Sequence, residues 1–121
     1  MESSKLVIIS TIGPENPEKA TLPFVLATAS QALDVDVVVF LQSSAVLLAK
    51  KGEAEKVTAH GLTPLKQLLD LFMEMGGTLY LCSPCIQERN ILIDDLVTGS
   101  QIGTAGTLVN SVMSATQVVT Y

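Results

Sequence analysis

The chain alternates apolar runs with amphipathic or polar stretches. Lys5–Thr11 (KLVIIST) is a continuous apolar run rich in β-branched residues, the pattern of a strand buried on both faces. Val35–Leu41 (VDVVVFL) repeats that pattern, and Thr78–Leu81 is a shorter third strand. Between the first two, Gly13-Pro14 marks a loop and Asn16-Pro17-Glu18 reads as N-cap, first turn and acidic start of a helix. Pro23 leaves two options for that helix: a kink, or a regular start only near Thr21, running to Leu33. Ser43–Lys51 reads as a short helix closed by Gly52, and Glu53–Gly61 as a polar, mobile loop holding His60. Thr63-Pro64 resembles a cap followed by proline, and Leu65, Leu68, Leu69, Phe72 and Met73 form a helical apolar stripe that Gly76-Gly77 stops.

Ser83-Pro84 gives a further cap-plus-proline helix start directly after the third strand. Ile91–Val97 reads as a short helix ending in a turn at Gly99, followed by a short strand at Gln101-Ile102. Leu108, Val109, Val112 and Met113 share one helix face, and Gln117–Tyr121 forms a last strand. Strands alternating with helices predict an α/β fold in which residues 1–121 form a single domain around a mostly parallel sheet. Sites on such sheets form at the carboxyl ends of the strands. The Gly13 loop, Gln42-Ser43-Ser44 and Cys82 are therefore expected on one rim.

Composition sharpens this. Of 121 residues, 48% are hydrophobic and only 16% charged, with mean hydropathy +0.46, which suits one domain with extensive burial or an oligomer. The net charge of −5 and seven scattered basic residues argue against nucleic acid as a partner. Leu96–Tyr121 has no Asp, Glu, Lys or Arg, but its Gly, Ser, Thr, Asn and Gln make it a poor bilayer helix. It is read as a buried element or a subunit contact, with no membrane partner. Met1–Lys5 leads straight into the first strand, so no secretory leader is expected, and the reading is cytoplasmic.

The candidate chemistry is Cys82-Ser83-Pro84-Cys85, which holds both cysteines where the third strand meets a helix start. A helix N-terminus offers unpaired N–H groups and favours negative charge, so a thiol there is expected to be biased toward thiolate. Competing readings are two inert core cysteines, a dithiol oxidoreductase and a metal site. Structural zinc needs four ligands, and Cys82, Cys85 and His60 fall short unless subunits share the site. No metal or cofactor is therefore expected. A thioredoxin-like assignment lacks the Trp before the motif. His60 is either a surface residue or a proton donor folding over the cysteines. Arg89 is either a surface charge or the holder of an anionic sulfur species. Ser43-Ser44 is read as a helix cap, and a lone histidine argues against a Ser–His–Asp set.

These elements resemble the DsrE/DsrF-like (YchN-like) family of small sulfur-relay proteins along nearly the whole chain. The resemblance rests on the Gly-Pro…Asn-Pro-Glu-Lys-Ala segment after the first strand, the VDVVVFL strand, Cys82 with Arg89-Asn90 beyond its helix, and the ending GTAGTLVNSVMSATQVVTY. It implies a three-layer α/β/α sandwich with a mostly parallel sheet of about five strands. It also implies a homo-oligomer, trimer or hexamer, that exchanges sulfur with donor and acceptor proteins. Cys82 then takes the carrier's place, holding sulfane sulfur as a persulfide. Cys85 becomes a resolving thiol and Arg89 an electrostatic aid. Asn90 stands where the family often has Gly; both tolerate a left-handed turn. The alternatives that remain are an oligomeric binding or scaffold protein with inert cysteines and a CxxC dithiol oxidoreductase.

Overall fold

The computed structural model describes residues 4–121; the reading made for the first three residues lies outside them. Five strands form one sheet in the order β4-β3-β2-β1-β5: β1 Lys5–Ser10, β2 Asp36–Leu41, β3 Thr78–Cys82, β4 Gln101–Gly103 and β5 Gln117–Thr120. Every pairing is parallel, in register from Lys5↔Asp36 to Cys82↔Gly103. Four α-helices connect them: α1 Pro17–Ala32, α2 Leu65–Glu74, α3 Ser83–Glu88 and α4 Ala105–Met113.

Strands β1 to β4 step across the sheet in one direction, and β5 returns to the opposite edge. Right-handed crossovers then place the connection through α4 on the face opposite the others. The α/β/α sandwich follows, and its two outer layers are unequal. On the first face Leu6, Ile8, Val37, Val39, Leu41, Leu79 and Leu81 join Phe24, Ala27, Leu65 and Phe72 in one buried cluster. Phe24 of α1 meets Phe72 of α2 edge-on at 5.9 Å. On the second face Val7, Val38 and Phe40 are buried, but the only buried residue of α4 itself is Ser111. Its apolar residues Val109 and Met113 are 57% and 80% exposed, so the uncharged tail is not a buried element of the single chain.

Several local expectations change. Helix α1 runs unbroken from Pro17 through Pro23, with Asn16 capping it by accepting the Lys19 N–H at 3.1 Å. Buried Ala20, Phe24 and Ala27 hold it on the sheet despite the missing donor. Ser43–Ala49 is 3₁₀ rather than α, and Lys50 after it leaves to bridge Leu96. The segment expected to be a mobile loop contains a 3₁₀ turn, Ala54–Lys56, anchored by buried Ala54 and Val57. Leu65 donates its N–H to the Val57 carbonyl. Pro64, not Thr63, is the cap position of α2, and no side chain caps it. Ile91–Val97 reduces to a 3₁₀ turn at Ile93–Asp95.

Candidate functional site

The three predicted loops do meet on one rim. The Gly13 N–H donates to Ser44 Oγ at 3.1 Å, tying the loop after β1 to the turn after β2. A Cβ on Gly13 would lie 2.1 Å from the Ser44 carbonyl oxygen, so only glycine allows this approach. The Ser44 hydroxyl donates onward to Glu15 Oε2 at 2.5 Å. That bond holds the Glu15 carboxyl below the usual carboxylate range, with a smaller contribution from the Arg89 charge. Next to it, the Ser43 N–H donates to Cys85 Sγ at 3.1 Å, joining the end of β2 to α3. Ser43 reaches this position through a left-handed backbone, φ 54°. Ser43-Ser44 therefore do not cap the following turn: Gln42 holds the cap position, with no side-chain bond.

Strand β3 runs one residue further than its apolar run. Cys82 is both its last residue and the N-cap of α3, which moves Ser83-Pro84 into the first helical turn. One turn later Cys85 points back: Cys85 Sγ lies 2.8 Å from Cys82 Sγ, with its S–H directed at Cys82. Both thiols are free and partly buried. Burial first, then the contact with Cys85, pushes the Cys82 thiol above its ordinary value. The Cys85 backbone N–H and the Arg89 charge oppose this without overcoming it. The thiolate bias expected of Cys82 is thus reversed: partial burial and a second ionisable sulfur outweigh the end of a six-residue helix.

Arg89, the C-cap of α3, turns back and donates to the Cys85 carbonyl at 3.2 Å. Asn90 after it is left-handed, φ 54°, as its replacement of glycine allows. His60 is exposed, lines no part of the cavity at Cys82 and is not among the groups acting on the Cys82 thiol. The structure thus brings Cys82, Cys85 and Arg89 together and leaves His60 apart. Among the described residues no three His, Cys, Asp or Glu side chains gather as metal ligands. Among them also, no helix is long and apolar enough to cross a membrane.

Sequence patterns missed a groove of about 380 Å³ beside Cys82. Phe40, Pro84 and Gly103 line it on the sheet side, and Leu108, Val109 and Met113 of α4 on the other. Gly103 pairs with Cys82 across β3–β4, and a Cβ there would meet the Phe40 ring at 2.9 Å. Its missing side chain keeps the space beside the thiol open. Cys82 lines this groove and Cys85 does not. The α4 stripe was visible in the sequence, but nothing there indicated that it faces a thiol.

The sequence pattern of the DsrE/DsrF-like family matches residues 4–121. The uncharacterized protein MJ0989 of Methanocaldococcus jannaschii is 29% identical over 119 residues, 97% of this chain and 99% of its own length. Protein YchN of Escherichia coli is 28% identical, covering 97% and 98%. The crystal structure of the E. coli protein superimposes with a TM-score of 0.83 at 27% identity, over 98% of this chain and 99% of that one. The structure of MTH1491 from Methanobacterium thermoautotrophicum, of unknown function, shares the fold at 13% identity with a TM-score of 0.71.

Proposed function

This chain belongs to the DsrE/DsrF-like family, and on that premise we propose that it is a small cytoplasmic sulfur carrier that holds sulfane sulfur as a persulfide on Cys82. The observation that carries the reading is the pair of free thiols 2.8 Å apart, of which Cys82 and not Cys85 lines the groove at α4. Cys82 meets an incoming donor, and Cys85 stands behind it.

The elevated Cys82 thiol needs a proton acceptor to attack sulfur at neutral pH. Solvent at the mouth of the groove is that acceptor, while the Ser43 N–H holds Cys85 Sγ beside Cys82. In the loading step Cys82 sulfur attacks the outer sulfur of a persulfide R–S–SH. The new Cys82–S bond forms, the donor's S–S bond breaks and its electron pair leaves with RS⁻. The Cys82 proton passes to solvent. No external oxidant is consumed. A partner thiolate unloads the outer sulfur in the same way, regenerating Cys82. The partners are therefore sulfur donor and acceptor proteins, together with further copies of the chain in a homotrimer or homohexamer.

The 2.8 Å separation also favours a second reading, a dithiol oxidoreductase cycling through a Cys82–Cys85 disulfide. Intact mass spectrometry after incubation with a sulfane-sulfur donor separates the two. A gain of one sulfur atom in the native protein and none in Cys82→Ser supports the carrier. Loss of two hydrogens with no sulfur gained supports the oxidoreductase. No change in either, with thiols labelled only after unfolding, overturns both and leaves an oligomeric binding protein.

A further inference from the structure

We propose that the groove beside Cys82 is a donor subsite selecting uncharged, apolar organic persulfides over anionic sulfur donors. The proposal rests on the carrier reading above and adds its substrate class. Every residue lining the groove is uncharged, and its polar side chains are confined to Gln42 and Thr104 beside Cys82. The Thr104 hydroxyl is already engaged with Thr107 in the cap of α4, so it adds little for an anion. The charged group nearest the chemistry, Arg89, lies outside the groove, donates to the Cys85 carbonyl and shares its field with Glu15. A carboxylate or sulfonate entering the groove would lose hydration and find no counter-charge. An aryl or alkyl group would instead cover Phe40, Leu108, Val109 and Met113. The volume of about 380 Å³ is in the range of small-ligand sites.

The orientation follows from the walls. With the organic group against α4, the outer sulfur of the persulfide faces Cys82, while Cys85 stays outside the groove. The RS⁻ product leaves by the same open mouth. Substituting Val109, which is exposed on α4, alters the groove without opening the core.

The test compares initial loading of the full chain by benzyl hydropersulfide and by glutathione hydropersulfide, read as sulfur gained on Cys82 by intact mass, with Val109→Asp beside the wild type. The expected result is loading at least about tenfold faster from the benzyl compound, the factor for burying an apolar group of that size. Val109→Asp, which puts a carboxylate into the apolar wall, is expected to remove most of the benzyl compound's advantage. Equal rates from the two donors, with Cys82 still loaded, overturn the subsite and leave the carrier reading standing. If the groove is instead closed by a second copy of the chain, both donors load equally slowly and Val109→Asp lowers the oligomeric state; that overturns the subsite as well. No sulfur on Cys82 from either donor removes the carrier reading and the subsite with it.

Discussion

Ser43 donates its backbone N–H to Cys85 Sγ at 3.1 Å, and does so from a left-handed conformation. The bond links the carboxyl end of β2 to the helix carrying the second thiol. The two cysteines also have different surroundings: Cys85 is tied to the end of β2, whereas Cys82 lines an apolar groove. A left-handed conformation costs an L-residue about 1–2 kcal/mol, most for β-branched side chains. Ser43→Gly is expected to keep the N–H and leave sulfur loading intact. Ser43→Ile should cost roughly 1–2 kcal/mol in denaturant unfolding and slow loading. Equal loading by Ser43→Ile would mean that the bond does not position Cys85.

The cysteines should separate cleanly. Cys82→Ser is expected to abolish persulfide formation. Cys85→Ser should still load sulfur. Its persulfide should also last longer, since no neighbouring thiol can displace the outer sulfur as sulfide. Rapid-quench mass spectrometry reads both. Loading retained in Cys82→Ser and lost in Cys85→Ser would move the carrier role to Cys85.

The pH dependence follows from the same burial. In the folded chain the Cys82 thiol titrates above its ordinary value, so folding disfavours its ionisation. The associated stability is fully present below the ordinary thiol range, near 8.5, and is lost as pH rises toward the folded value. Denaturant midpoints should fall across that alkaline window more in the wild type than in Cys82→Ser. Iodoacetamide alkylation of Cys82 in the Cys85→Ser background should keep rising above the pH where a free thiol levels off. Levelling off at the ordinary thiol range would contradict the assigned burial effect.

Glu15 titrates in the opposite sense. Its carboxyl is held low chiefly by the Ser44 hydroxyl, so the stability it adds is present above the ordinary Glu range and lost as pH falls through the folded value. Ser44→Ala is expected to return the Glu15 titration toward the ordinary value, visible in carboxyl chemical shifts. It should also cost about 1 kcal/mol, because the Gly13 N–H loses its partner. An unchanged Glu15 titration would remove Ser44 as the cause.

Two glycines give contrasting outcomes. Gly13→Ala places a methyl 2.1 Å from the Ser44 carbonyl oxygen, and backbone on both sides cannot yield cheaply. A loss of about 1–3 kcal/mol is expected, together with slower sulfur loading as the rim shifts. Gly106→Ala, in the first turn of α4, meets nothing nearer than the Thr104 hydroxyl at 3.6 Å. It should gain up to roughly 0.5–1 kcal/mol from helix propensity. Thermal unfolding of the pair checks both signs.

The sequence by itself determined the α/β class, the strands and the rim, because continuous β-branched runs bury on both faces and parallel strands carry their loops to one end. It placed Cys82 at a strand end and the Arg89-Asn90 turn beyond it. It did not determine how α1 treats Pro23, since the packing of Phe24 and Ala27 on the sheet decides that. Nor did it determine the ionisation bias of Cys82, which depends on burial and on a sulfur one helical turn away. The groove was legible only as an apolar stripe on α4. Tertiary structure alone decided that this stripe faces a thiol. The return crossover from β4 to β5 carries α4 across the thin face of the sheet, and Gly103, opposite Cys82, leaves the space beneath it open.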